Sequence, residues 1–304
     1  MYALALEDSL SAATIVPDSA IAIVIDSARN EVYSPDNSDG KFLGPITLRE
    51  ALTHSRNPVA VQLAMHVGVD SLAAMGRRAG FTTPIMPVPA SALGASAVRP
   101  LDYVAAYTVW ANLGSVVEPR LVTRVEDAAG RSIYQRPPST PRPVMDPRVA
   151  FIVRDMMRDA AERGTGGPAR RAVPAAITIA GKTGTTNDNV DVWFMGMTPD
   201  LVAGVWLGFD RPSTIMPGAA GGTLAAPIWG AMMARYYAGR SAPPTWTPPV
   251  GMLTAELDRA TGLVADAATP AAQRYTEFFV PGTEPEPLKS VPWKMPVFGA
   301  VVAY

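Results

Sequence analysis

Cysteine is absent from the 304 residues, which removes disulfides, thiolate nucleophiles and Cys-ligated metals from consideration. Histidine is scarce: His54 and His66 stand alone, with neither an HExxH pattern nor a carboxylate cluster beside them, so a His-based zinc site has no basis and both read as structural. Neither sign of charge is in excess. With 26 Lys plus Arg against 27 Asp plus Glu, the formal net charge is −1, and a nucleic-acid partner has no electrostatic footprint. Long apolar runs are missing too, none approaching about 18 residues. The opening MYALALEDSLSAATIV lacks the basic start of a signal peptide. Any membrane attachment is therefore expected to come through an anchor outside these residues.

What is present points to a globular chain. A 48% hydrophobic content with 17% charged residues supports a sizeable core, enough for one large or two ordinary domains. Proline is abundant, with 30 residues, and clustered in PPSTPRPVMDP (137–147), APPTWTPP (242–249) and VPGTEPEPLKSVPWKMP (280–296). Such clusters read as connectors or tails. The expected organisation is a principal domain over 1–240 and a Pro-rich C-terminal extension over 241–304.

Helix signals are clear in the body. Thr47-Leu48-Arg49-Glu50 is a capping box that opens a helix through about His54. Asn57-Pro58 then reads as an N-cap and first helical residue, with Val59, Ala60, Leu63, Ala64 and Val67 on one face, which puts Ser55 and Asn57 in a tight link between two helices. Behind Asp146-Pro147, apolar residues from Val149 to Ala160 recur at helical spacing, and their methionines read as core. The stretch AAITIAGKTGTTNDNVDVWFMGMTPDLVAGVWLGFD changes texture, predicting three antiparallel strands at 177–183, 191–197 and 201–209. A helix opened by Ala226-Pro227 follows and runs to about Gly239. The fold class expected is α+β: an antiparallel sheet covered by helices, incomplete at the N-terminus.

Gly181-Lys182-Thr183 invites a phosphate-loop reading. That motif needs a glycine five residues earlier, where Ala176 stands, and a helix afterwards, where Gly184-Thr185-Thr186-Asn187 has turn chemistry. The alternative is Lys182-Thr183-Gly184 at a strand end, where lysine supplies positive charge, threonine a hydroxyl donor, and glycine a surface on which substrate backbone can lie. Ser55-Arg56-Asn57 supplies the companion element, a Ser-x-Asn in an inter-helix link.

These two elements resemble those of penicillin-binding proteins and serine β-lactamases, and the likeness to the transpeptidase region of class A penicillin-binding proteins runs along nearly the whole chain. GPITLREALTHSRNPVAVQLAMHVG, ALGASAVRPLDYVAAYTVWANLG, GTGGPAR, AGKTGTTNDNVDVWFMGMTPDLVAGVWLGFD and RYTEFFVPGTEPE are similar to family segments in family order. The resemblance implies an enzyme that cross-links peptidoglycan stem peptides ending in D-Ala-D-Ala through an acyl-serine, binds β-lactams, needs no cofactor or metal, and works in the cell envelope at the outer face of the cytoplasmic membrane. Ser55 would relay a proton to the leaving group, Asn57 would hold the substrate amide, and Lys182 would polarise the relay and attract the substrate carboxylate. Thr183 and Thr185 would donate to that carboxylate, Gly184 would let the substrate lie flat, and the Thr185 N–H would be half of an oxyanion hole.

The departure is the third family element, Ser-x-x-Lys, which should precede Ser55. The opening residues resemble the rest of its helix, so the nucleophilic serine is expected roughly half a dozen residues before Met1, outside this chain. Ser38-Asp39-Gly40-Lys41 is the one literal match, and its Pro, Asn, Asp and Gly surroundings favour a turn over a helix start. The expectation is a fragment inactive by itself and marginally folded. Two alternatives stay open: a noncatalytic peptidoglycan- or partner-binding module, and a D,D-carboxypeptidase or β-lactamase-like relative.

Overall fold

In the computed structural model, residues 1–26, 29 and 31–285 are described, together with the backbone of 302–303. In chain order the elements begin α1 (Tyr2–Glu7), β1 (Ile15–Asp18), β2 (Ile21–Asp26), β3 (Glu31–Tyr33), β4 (Gly44–Thr47), α2 (Leu48–Thr53), α3 (Asn57–Val67), α4 (Val69–Ala79) and α5 (Pro100–Ala111). An excursion of short strands follows: β5 (Ser115–Val116), β6 (Arg124–Glu126), β7 (Ser132–Gln135) and β8 (Arg142–Pro143). Then come α6 (Pro147–Glu162), α7 (Gly167–Arg170), β9 (Ala180–Thr185), β10 (Val192–Met197), β11 (Val202–Leu207), α8 (Ala226–Tyr236), β12 (Leu253–Asp258), β13 (Arg274–Phe279) and β14 (Val302–Ala303). The class is the mixed α+β one expected.

The central sheet has the antiparallel order β11-β10-β9, so β9 is an edge strand. Side chains on β10 alternate between two cores, as a period of two requires. Met195 and Met197 join the core built on α1, α2, α3 and α6, while Phe194 joins a second core with Ile179 and Trp229. In the first, α6 buries Val149, Ile152, Val153, Met156, Met157 and Ala160. Burial of each large side chain contributes roughly 1.5–3 kcal/mol, which makes α6 the main support of the sheet. Asp146 caps α6 by accepting from the Arg148 N–H at 2.7 Å.

Three boundaries differ from those read in the sequence. The first strand is Ala180–Thr185 rather than 177–183, because Gly184 and Thr185 pair with Trp193 and Val192 instead of turning. A Cβ on Gly184 would lie 3.3 Å from that of Trp193, so glycine permits the close pairing. The chain turns later, at Asn187–Asn189, where Asp188 and Asn189 adopt positive φ. Asn57 is the first residue of α3 and not its cap, since its side-chain amide donates away from the helix to the Asp36 carbonyl at 2.7 Å. Finally, the region after 240 holds a β12–β13 hairpin between two proline clusters, with Leu257, Glu277 and Phe279 fully buried. Most of the third cluster, 286–296, lies outside the described residues.

The hairpin meets α2 through charge. Arg49, 1% exposed, donates bidentately to Glu277, 0% exposed, at 2.7 and 2.6 Å, and also reaches Asp155 at 2.8 Å and Asp159 at 3.3 Å. Arg163 and Arg259 bond Glu50 and Asp159, and Arg158 pairs with Asp155. Burial would raise the Glu50 carboxyl, but bonds from His54, Arg163 and Arg259 outweigh it and hold the group far below the ordinary carboxylate range.

Candidate active site

Ser55 lies in the link between α2 and α3, in the left-handed region at φ 55°. A non-glycine residue pays about 1 kcal/mol or more there, and such strain gathers at functional positions. Thr47 fixes the start of α2 by accepting from the Glu50 N–H at 3.1 Å, and the Arg56 N–H returns to the Ala51 carbonyl at 2.9 Å, closing the link. From the other side, β9 brings Lys182. Its ammonium donates to Ser55 Oγ at 2.7 Å, to the Thr183 carbonyl at 3.1 Å and to Thr183 Oγ1 at 3.4 Å. Residues 127 positions apart in sequence thus meet in one hydrogen bond.

The three donors of Lys182 end on neutral oxygens. Among the described residues no carboxylate lies within ion-pair distance of it, and burial lowers its pKa to about 8. A half-buried ammonium without a counter-ion attracts an anion, and a hydroxyl held at 2.7 Å from it is polarised for proton transfer.

Thr183 and Thr185 continue along the same edge strand. Thr183 Oγ1 lies 2.7 Å from Thr165 Oγ1, and Thr185 Oγ1 accepts from the Gly221 N–H at 3.0 Å, which leaves the Thr185 proton to donate outward. Thr186 donates its N–H toward β10, to the Asp191 carbonyl at 3.0 Å, so by strand alternation the Thr185 N–H faces the open edge. Gly221 opens a single π-helical turn, Gly221–Ala225, that presses on β9: a Cβ there would fall 2.6 Å from the Gly184 carbonyl oxygen.

Asn57 stands two residues beyond Ser55 on the same link. Its N–H donates to Asn37 Oδ1 at 2.8 Å and its side-chain amide to Asp36, while no described donor reaches its Oδ1. Behind it, Asn37 donates to the fully buried Asp18 at 2.8 Å, and Arg56 grips Asp39 at 2.9 and 3.0 Å. The bond from Arg56 lowers the Asp39 pKa. Ser38 and Lys41 are exposed side chains of the turn this clamp holds, not residues of one helix face. Of the expected residues, then, Ser55 and Thr183 both accept from Lys182, Thr185 lies on the same edge, and Asn57 borders it through the 36–41 turn. Asn37, Arg56, Thr165 and Gly221 were not singled out by sequence. Arg56 was the unspecified middle of Ser-x-Asn, and Thr165 lay within the quoted GTGGPAR.

Comparison with known proteins decides the family. The family described as the penicillin binding protein transpeptidase domain matches residues 2–234, and the penicillin-binding protein 1A C-terminal domain matches residues 248–288. The chain belongs to the class A penicillin-binding proteins. Penicillin-binding protein 1A of Neisseria gonorrhoeae is 40% identical over 236 residues, covering 75% of this chain and 29% of that protein. Its counterpart in Pseudomonas aeruginosa is 33% identical over 344 residues, covering 96% of this chain and 41% of that one. The chain therefore spans well under half the length of these relatives. Among solved structures, penicillin-binding protein 1A from Haemophilus influenzae superposes with a TM-score of 0.84 at 26% identity, over 96% of this chain and 48% of that one. PonA1 from Mycobacterium tuberculosis in complex with penicillin V gives 0.68 at 25% identity, over 82% and 69%. As a class A penicillin-binding protein, the chain carries its Ser-x-Asn and Lys-Thr-Gly elements on the two sides of one lysine–serine hydrogen bond.

Proposed function

We propose that residues 1–304 supply the leaving-group relay and the carboxylate subsite of a D,D-transpeptidase acting on peptidoglycan stem peptides at the outer face of the cytoplasmic membrane. The support is the Lys182–Ser55 hydrogen bond of 2.7 Å at an ammonium with no carboxylate partner among the described residues. In the complete reaction a serine oxygen adds to the carbonyl of the penultimate D-Ala and the amide C–N bond breaks. The departing D-Ala nitrogen takes a proton through Ser55, leaving an acyl ester. A second stem-peptide amine then attacks that ester, forms the cross-link and releases the serine. Lys182 polarises Ser55 and draws in the terminal carboxylate, Thr183 and Thr185 donate to it, Asn57 holds the substrate amide through Oδ1, and the Thr185 N–H faces the developing oxyanion. β-Lactams, as mimics of D-Ala-D-Ala, take the same subsite.

The acylated serine belongs, on this reading, to a Ser-x-x-Lys outside residues 1–304, and Ser38 is not its substitute. A fluorescent penicillin should give no covalent adduct with residues 1–304 and a stoichiometric one when a Ser-x-x-Lys helix is joined N-terminally. An adduct on residues 1–304 alone would overturn the assignment of the nucleophile. The extended protein should also retain its acyl group for minutes or longer; rapid hydrolysis of the β-lactam would favour the β-lactamase-like reading instead.

A further inference from the structure

Thr165 sits where the two walls of the candidate site meet, the α2–α3 side that carries Ser55 and the strand β9 that carries Lys182. Its N–H donates to the Thr53 carbonyl at 3.3 Å, two residues before Ser55, and its hydroxyl touches that of Thr183 on β9. The segment around it has no slack. A Cβ on Gly164 would lie 2.2 Å from the Thr53 carbonyl oxygen, one on Gly166 would lie 2.9 Å from the Phe194 ring, and one on Gly222 would lie 2.5 Å from the Thr165 carbonyl oxygen. Three glycines thus let Thr165 reach both walls at once.

Donor accounting gives this contact a direction. A threonine hydroxyl has one proton and two lone pairs. Lys182 Nζ at 3.4 Å addresses one lone pair of Thr183, and Thr165 at 2.7 Å addresses either the second lone pair or the proton. An ionised carboxylate can only accept. If Thr165 took the Thr183 proton, Thr183 would have nothing left to offer a carboxylate; if Thr165 donates, both lone pairs are filled and the proton points to the ligand.

We infer that Thr165 is a positioning residue: its hydroxyl donates to Thr183 Oγ1 and thereby reserves the Thr183 proton for the carboxylate of the bound peptide. The inference rests on the carboxylate subsite proposed above and adds a residue to it. Thr165 touches no substrate itself.

The test uses residues 1–304, with N-acetylated D-Ala-D-Ala and its C-terminal amide as probes in nuclear magnetic resonance titrations. The parent chain should prefer the acid. Thr165→Val keeps the shape and removes the hydroxyl, and should weaken acid binding about tenfold, the size expected of one hydrogen bond to a charged acceptor, with amide binding unchanged. Thr165→Ser should keep the preference, and Thr165→Ala should lose it as the valine does. Combining Thr165→Val with Thr183→Val should cost no more than Thr183→Val alone. An acid preference intact in Thr165→Val or Thr165→Ala, or equal loss for acid and amide, overturns the inference while the subsite stands. A parent chain that shows no acid preference, with Lys182→Ala indistinguishable from it, overturns the subsite and the inference together.

Discussion

Two cationic regions, one buried and one half-buried, sit one helix apart and are treated in opposite ways. At the start of α2, Arg49 is enclosed by Glu277, Asp155 and Asp159, so that its guanidinium has carboxylates on all sides. Just past the end of the same helix, Lys182 meets only hydroxyl and carbonyl oxygens among the described residues. Full compensation makes a fixed joint, and arginine suits it because its planar fork matches carboxylates bidentately. Incomplete compensation leaves an ammonium whose pKa burial lowers to about 8 and which awaits an anion. The contrast separates what holds the site from what works in it.

The largest test removes a counter-charge. Glu277→Ala leaves Arg49 buried against fewer carboxylates and should destabilise the chain by roughly 3–5 kcal/mol in urea unfolding. Lys182→Ala, by contrast, removes a desolvated charge with no ionic partner among the described residues and should leave stability unchanged or raise it; comparable losses in the two variants would dissolve that distinction. Acid probes the joint in the same sense. Because bonds from His54 and the arginines hold the Glu50 carboxyl, and arginines the Asp159 carboxyl, below their ordinary range, their contribution is complete above about pH 5 and drains away as pH falls further. Melting temperature followed downward from neutral pH should fall accordingly.

Next in size is Gly164→Ala. The new methyl would meet the Thr53 carbonyl oxygen at 2.2 Å, a backbone atom that cannot swing aside, and about 1–3 kcal/mol should be lost. On the working side, Lys182→Ala should reduce the preference for a D-Ala-D-Ala acid over its amide about tenfold. Since the Lys182 pKa is lowered to about 8, the parent's preference should be full at ~pH 6 and disappear as pH rises past that value. Smallest of all is Arg131→Ala. Its partner Asp127 pairs with it at 2.6 Å on an exposed hairpin, where solvent and salt screen the attraction, and no shift in melting temperature should be detectable.

Much of this was legible in order along the chain. The capping residue Thr47, the Asp146-Pro147 helix start and the turn residues that divide the 177–209 stretch into three apolar runs are local signals, and each element formed near its expected place. Ser55 and Lys182 stood out as candidates through their motifs, and the fold brings them within one hydrogen bond. What stayed hidden depends on contacts across long stretches. Nothing near Glu277 marks it as Arg49's partner, since a lone glutamate in a strand reads as a solvated side chain. Thr165 was legible as part of a segment but not as a contact, because its role follows from three glycines, Gly164, Gly166 and Gly222, whose missing side chains matter only once Thr53, Phe194 and Thr165 itself are packed against them. Gly184 misled for a related reason: glycine signals a turn by default, and only the facing Trp193 shows that it serves pairing instead.

The bond between Arg49 and Glu277 spans 228 positions, and that has a bearing on synthesis. A ribosome delivers Ser55 and the arginine before it long before the hairpin strand β13 emerges. Until then Arg49 faces aspartates alone, and α2 lacks the lock that settles it. The joint that holds α2 therefore closes only once β13, 228 positions after Arg49, has left the exit tunnel, so a late segment sets the moment at which the reactive surface matures.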